Sequence, residues 1–312
     1  MTLDEDRWVH WLEGQIKPSP SDVPIGIGDD MAEVSHQGAS SVFFATDTLV
    51  EHTHFDLATA SLEQVGYKAM AVNLSDCAAM ATLPLAAVVA VALPIGFTES
   101  QLKDVYAGIL RASRTYRCPV VGGDTTRSRS AAPLVLNVSM LSRCGESRAI
   151  TRARAQVDDV VCVTGSLGGS LVAKHLCFRP RLQEALSLAE GDRITAMMDI
   201  SDGLSTDLAR LCRRSKVGAL IDARRIPISD QARTREDPLR SALHEGEDFE
   251  LLFTLPPGDY LSLEKRWNHT TPITQIGTIT ESSGIAIRLS ADQVTPLAAE
   301  GYDHFKQDRS PQ

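Results

Sequence analysis

Seven aspartates in this 312-residue chain close apolar segments beside a glycine, serine or threonine. They are Asp29 and Asp30 in I-G-I-G-D-D, Asp47 in A-T-D-T, Asp76 in N-L-S-D, Asp124 in V-G-G-D-T-T-R, and Asp199 and Asp202 in D-I-S-D-G. Adjacent carboxylates repel each other, and an unpaired buried one costs several kcal/mol, so each must be neutralised, paired or bound to metal. If folding gathers several of them, the site offers hard oxygen donors with little His or Cys. That donor set selects Mg²⁺ over zinc or copper. Mg²⁺ is usually shared between carboxylates and substrate phosphates, so an acidic protein handling a polyphosphate would use several such ions as bridging charge.

Several of these positions have a plainer reading. Asp76 falls in G-Y-K-A-M-A-V-N-L-S-D-C-A-A-M, a helical segment apolar nearly all round and expected to be buried. Lys68, about two turns earlier, is an available partner, with Asn73 one turn away, so a paired aspartate competes evenly with a ligand. Asp199, Ser201 and Asp202 stand where a strand meets a helix, and Ser201 or Asp202 could simply cap that helix. Capping accounts for one of the three, not for two aspartates three apart. His52 and His54 alternate onto one strand face; with no third histidine nearby, a substrate contact by one of them is preferred to a metal site. The G-S-L-G-G-S stretch (165–170) reads as a tight strand-to-helix turn or an anion site. H-E-G-E-D (244–248) is an acidic turn, or else presents Glu247 to a substrate. No Walker phosphate loop and no Ser-His-Asp order is present.

These residues need a fold to position them, and the chain is long enough for two domains or one large one. Hydrophobic content of 43% with 23% charge describes a chain that can bury a core. A net charge of −9 argues against bulk binding to nucleic acid or an anionic membrane. Six cysteines are scattered singly in apolar runs without a C-x-x-C pair, as buried thiols in a reducing cytoplasm. The acidic N-terminus lacks a signal-peptide pattern, and no apolar run reaches membrane-helix length. A soluble cytoplasmic protein is expected.

Hydrophobic periodicity predicts helices over 4–16, 61–82, 100–115, 168–177 and 203–214. Strands are predicted at 42–50, 86–93, 118–122, 134–142, 159–164, 195–200 and 217–222, and near 249–255 and 273–279. Residues 227–238 read as a surface loop. The long antiparallel-looking strands without regular βα alternation favour α+β over a doubly wound fold. The polar stretch 142–155 divides the chain into an N-terminal domain (1–147) and a C-terminal mixed α/β domain (148–312).

The order of motifs resembles the thiamine-monophosphate kinases, a family within the aminoimidazole-ribotide-synthetase-like ATP-binding superfamily. The stretches that carry the resemblance are I-G-I-G-D-D (25–30), A-T-D-T-L-V-E-H-T-H-F (45–55), Y-K-A-M-A-V-N-L-S-D-C-A-A-M (67–80) and V-G-G-D-T-T-R (121–127). D-D-V-V-C-V-T-G-S-L-G (158–168), D-I-S-D-G-L-S-T-D-L (199–208), G-E-D-F-E-L-L-F (246–253), Q-I-G-T-I-T (275–280) and G-Y-D-H-F (301–305) continue it to the end of the chain. The resemblance implies two α/β domains and a homodimer whose N-terminal sheets form a barrel, with ATP bound near that interface. It implies Mg²⁺ ligation by Asp30, Thr46, Asp47, Asp76, Asp124, Asp199 and Asp202, with Asp29 adjacent. Gly123, Asp124, Arg148, Ser201 and Tyr106 correspond to ATP contacts, and His54, Glu247 and Tyr302 to thiamine phosphate contacts. The chain departs from the family pattern at Ala45, at Glu51-His52, at Glu245 and over 152–159, which bears on substrate affinity.

The implied reaction is transfer of the γ-phosphoryl of ATP to thiamine monophosphate. The acceptor phosphate, with a second pKa of about 6, is already nucleophilic at neutral pH, so no general base is expected. Another ATP-dependent synthetase of the superfamily, a metallophosphatase and a non-catalytic metal-stabilised dimer are the alternatives.

Overall fold

The computed structural model describes residues 5–16, 23–35, 41–191 and 193–305. Its central element is α2 (Leu62–Ala79), opened by a capping box between Ser61 and Gln64. The helix is buried from Val65 to Ser75 and again from Cys77 to Ala79. A helix apolar all round needs cover all round, and α2 has it because it lies between two sheets, contacting β2 (Val42–Val50), β3 (Thr82–Leu93) and β5 (Val135–Cys144) of one and β7 (Ala196–Asp199) of the other.

The first sheet runs in the order β1-β2-β5-β3-β4, with β1 at Ala32–Val34 and β4 at Val120–Arg127. Its neighbours are antiparallel except for the parallel pair β3 and β4. The inner face packs on α2 and, beyond it, α3 (Glu99–Thr115). These two helices touch backbone to backbone through Gly66 and Gly108. A Cβ on Gly66 would lie 1.9 Å from the Val105 carbonyl oxygen, and one on Gly108 would lie 1.8 Å from that of Glu63. Gly108→Ala is therefore expected to cost about 3 kcal/mol or more, since the obstacle is backbone and not a side chain that can turn away. A denaturation midpoint equal to wild type would contradict that close packing.

The second sheet runs β12-β11-β8-β10-β6-β9-β7. Its strands are β6 (Val160–Thr164), β7, β8 (Gly218–Asp222), β9 (Leu251–Leu255), β10 (Ile273–Thr280), β11 (Gly284–Ser290) and β12 (Gln293–Pro296). One face joins the core around α2, with α4 (Leu182–Ala189) and α7 (Pro257–Arg266); the other is covered by α5 (Leu204–Ser215) and α6 (Pro238–His244). A short N-terminal helix, α1 (Glu5–Ile16), completes the described elements. Mixed α/β content in two sheet-bearing halves is what the sequence predicts. No sheet among the described strands closes on itself.

Three expectations change. Residues 168–177 form two 3₁₀ turns, Ser170–Val172 and Lys174–Leu176, because Gly168 and Gly169 take positive φ and interrupt any longer helix. His52 and His54 sit in a turn after β2, with His52 at φ 67, so they do not share a strand face. The predicted loop 227–238 contains a 3₁₀ turn at Ala232–Thr234, anchored by the buried Ser229, whose Oγ accepts from the Ala232 N–H.

Candidate active site

Four aspartates from four separate elements meet at one end of α2. Asp47 comes from the inner face of β2, Asp76 from the last turns of α2, Asp199 from the end of β7, and Asp30 from the segment before β1. Carboxylate oxygens of Asp30, Asp76 and Asp199 lie within 4.8 Å of one another. Burial raises the Asp76 carboxyl well above its ordinary range, and the charges of Asp47, Asp199 and Asp30 raise it further. Asp199 is raised well above its range by burial and by Asp30, partly offset by Ser75 Oγ, which donates to it at 2.5 Å. Burial raises Asp47 too, while its hydrogen bond with Asp76 opposes the rise. The shared hydrogen bond raises Asp76 and lowers Asp47, so of the two Asp76 is the one favoured to carry the proton. A convergent set of carboxylate oxygens, unable to ionise together, fits a hard divalent cation such as Mg²⁺.

A single arginine side chain contacts this cluster among the described ion pairs. Arg152 forks onto Asp30, Nε at 3.0 Å from one oxygen and Nη2 at 2.6 Å from the other, and its main-chain N–H donates to Asp29 at 2.8 Å. Asp29 is thus held beside the cluster, not within the group of three. Lys68, predicted as a partner for Asp76, turns elsewhere. Its ammonium binds both oxygens of Glu247, at 2.8 and 2.7 Å.

Next to the aspartates opens a cavity of about 630 Å³ lined by residues of both halves, including Asp47, His54, Ser201, Asp202, Glu247 and Tyr302. The Glu247 carboxyl would be raised by burial, but hydrogen bonds and charge from His175 and Lys68 outweigh that and hold it below its ordinary value. Burial and the neighbouring His304 lower the His54 imidazole. His54 Nδ1 accepts from the Val50 N–H, and its ring stands 5.2 Å from that of His304. Tyr302 is placed by its own backbone, which donates to the Asp202 carbonyl at 2.9 Å.

Neither Ser201 nor Asp202 caps α5. Asp207, inside its first turn, reaches back and accepts from the N–H groups of Ser201, Asp202 and Gly203. Asp202 pairs instead with Arg210, which also meets Asp207 at 3.2 Å.

The remaining predicted residues lie away from the cavity lining. Thr46 is next to Asp47 but points to the outer face of the sheet, where it binds Ser139 at 2.9 Å. The row of paired residues Asp47, Val138, Val89 and Gly123 crosses the sheet. Gly123 and Asp124 on edge strand β4 are thus three strand spacings, about 14 Å, from β2. Arg148 is exposed in the turn after β5, and Tyr106 packs from α3 against the core. The sequence reading missed His175, His304, Arg152 and Arg210; His304 lies inside G-Y-D-H-F (301–305) and Arg210 just after the 199–208 stretch, but nothing in residue type or spacing marked any of the four.

Asp248, next to Glu247, accepts from the Gly168 N–H at 2.9 Å and from Ser170 Oγ, anchoring the glycine turn. Burial pushes its carboxyl up to about 6, against the opposing charge of Lys174. The folded state thus binds this proton more tightly than the unfolded chain does. Its stabilising contribution is present below about pH 4 and is lost as pH rises through about 6. Asp248→Asn cannot titrate, so the stability of wild type relative to this variant is expected to fall between pH 4.5 and 7.5. Parallel denaturation curves at the two pH values check it, and a pH-independent difference would refute it.

Both halves match family models: residues 28–144 match the AIR synthase related protein N-terminal domain, and residues 162–290 the corresponding C-terminal domain. The fold and its carboxylate-lined cavity thus define an AIR synthase related protein. Thiamine-monophosphate kinases are similar over nearly the whole chain. That of Rhodopirellula baltica is 33% identical, covering 97% of this chain and 98% of that protein, and that of Escherichia coli K12 is 34% identical, covering 93% and 95%. The solved structure of AaThiL complexed with AMPPCP and TMP superposes with a TM-score of 0.82 at 29% identity, covering 98% of this chain and 99% of that one. Thiamine-monophosphate kinase from Stenotrophomonas maltophilia gives 0.72 at 30% identity, covering 93% and 98%. This chain belongs to the thiamine-monophosphate kinase family.

Proposed function

We propose that the chain transfers the terminal phosphoryl group of ATP to thiamine monophosphate, giving thiamine diphosphate and ADP. The observation that carries this reading is the cluster of Asp30, Asp47, Asp76 and Asp199, which through Asp47 borders a cavity that also presents His54, Glu247 and Tyr302. AMPPCP, the methylene analogue of ATP, and TMP together in a similar structure agree with a site for both substrates.

In this reading Asp30, Asp47, Asp76 and Asp199, with Asp202 across the cavity, hold Mg²⁺. The bound ions would offset the repulsion between the two phosphate-bearing substrates. The chain itself supplies position: the acceptor phosphate needs no base, and Glu247, His54 and Tyr302 orient the thiamine portion so that the acceptor oxygen faces the terminal phosphorus. Thr46, Asp124, Gly123, Arg148, Ser201 and Tyr106 keep their assigned metal and nucleotide roles by resemblance alone, as does Asp29. Purified protein with ATP, Mg²⁺ and thiamine monophosphate should yield thiamine diphosphate and ADP in equal amounts. Phosphate release without ATP would favour a phosphatase, and no product over a range of Mg²⁺ would refute the kinase reading.

The same reading includes a homodimer, a division near residues 147 and 148, and a cytoplasmic location. No helix among the described residues is long and apolar enough to cross a membrane. Support for the dimer comes from the outer face of the first sheet, where Phe44 (46% exposed), Val88 (43%), Val121 (65%) and Leu141 (44%) stand uncovered. A second copy laid face to face would cover them. Val88→Asp is expected to shift the sedimenting species from dimer to monomer at micromolar concentration. A wild-type protein already monomeric there would overturn the dimer.

A further inference from the structure

Lys68 is fully buried on a helix that is covered nearly all round, a costly place for an ammonium unless every donor is used. All its donors are used. Nζ donates to the His54 carbonyl at 2.6 Å and to the two Glu247 oxygens, and it lies 2.9 Å from His175 Nδ1. His175 Nδ1 in turn lies 2.8 Å from Glu247 Oε2. All three partners line the cavity, yet they come from the turn after β2, the second 3₁₀ turn and the loop before β9. One side-chain nitrogen on α2 thus sets the relative position of three cavity walls belonging to both halves.

Glu247 needs such a hold. Its backbone takes φ 54, uncommon for a non-glycine residue, and its N–H donates to the Ser201 carbonyl at 2.6 Å. The preceding Gly246 takes φ 74 and passes so close to Ser201 that a Cβ would lie 2.7 Å from that carbonyl oxygen. The backbone is therefore fixed, and Lys68 fixes the carboxylate at its end.

We propose that Lys68 is a positioning residue for the organic part of the phosphate acceptor: it orients the Glu247 carboxylate, together with His175 and the His54 main chain, so that Glu247 accepts hydrogen bonds from an amine-bearing ring. This rests on the reading of the acceptor as thiamine monophosphate, whose aminopyrimidine supplies such an amine. Because the ammonium and the carboxylate cancel, the anchor recognises hydrogen-bond geometry more than charge. The metal-bearing end of the cavity is untouched by it.

The test is steady-state kinetics of Lys68→Met, Glu247→Gln and the double variant. Wild-type turnover of thiamine monophosphate is established first. Its absence would remove the functional reading, whereas turnover with the wrong variant pattern removes only this inference. Lys68→Met is expected to raise KM for thiamine monophosphate by about tenfold to a hundredfold, the equivalent of one charge-assisted hydrogen bond, with KM for ATP unchanged and kcat nearly so. The double variant should be no worse than Glu247→Gln alone, since both changes act on one carboxylate. A purely architectural lysine would instead depress kcat and both KM values together, or give additive losses, and either pattern overturns the proposal. If Lys68→Met does not fold, Glu247→Asp serves: it keeps the charge but cannot span Lys68 and ligand, so the same selective rise in KM is expected. An unchanged KM would overturn the proposal.

Discussion

Asp76→Asn is expected to lower kcat by about a hundredfold to a thousandfold, the scale of losing one preorganised electrostatic group at a reacting centre, while leaving the metal-free protein as stable as wild type or more so. The two effects have one cause. Asp76 sits among Asp47, Asp199 and Asp30, and burial plus their charges raise its carboxyl well above the ordinary range, which favours the neutral acid. Asparagine copies that neutral form in size and can still donate to Asp47, so the metal-free fold loses nothing. What disappears is the capacity to become a carboxylate when a divalent ion arrives. Melting curves with and without Mg²⁺ separate the effects: wild type should gain stability with the ion, and the variant should gain less. A variant with wild-type kcat would remove Asp76 from the catalytic site, and equal Mg²⁺ stabilisation would remove it from the metal site.

Arg152→Met should have the opposite profile. Arg152 places two donors on the two oxygens of Asp30 and a third, from its main chain, on Asp29. Removing one member of a buried ion pair typically costs about 3–5 kcal/mol, because the other charge is left uncompensated. Here the abandoned carboxylate also faces Asp47, Asp76 and Asp199. Urea unfolding without divalent ions should show that loss. Added Mg²⁺ should recover part of it, since an ion that binds only the folded protein stabilises it in proportion to RT ln(1 + [L]/Kd). Stability equal to wild type in the absence of metal would show that the fork contributes little; failure of Mg²⁺ to recover any of the loss would argue against a cation site at Asp30.

The sequence marks each aspartate by its place at the end of an apolar segment, but it does not say which of them meet. That depends on strand order. Asp47 and Asp124 have nearly the same local pattern, yet β2 is neighboured by β5 and β1 whereas β4 lies at the far edge. Thr46 and Asp47 are adjacent in sequence and lie on opposite faces, as alternation along a strand requires. Lys68 shows the limit of local reasoning most clearly: helical spacing offered Asp76, eight residues on, but the partner taken was Glu247, 179 residues away. Element existence was legible where periodicity ran long, as in α2, α3 and strands β2 to β5 of the first sheet, but not for the three-residue β1. It failed over 168–177, where glycines at positive φ outweigh apolar spacing, and for the short α4, α6 and α7, too brief for a periodic signal. α6 did carry one readable cue, a proline at its first position after the Asp237 cap.

The placement of α2 between two sheets bears on how the chain comes into being. A fragment ending near residue 147 would present water with the flank of α2 that belongs against β7 and α4, and a fragment beginning there would lack its wall altogether. The two halves are thus obligate companions during biosynthesis: the first waits, incompletely sealed, until the second emerges to close over it.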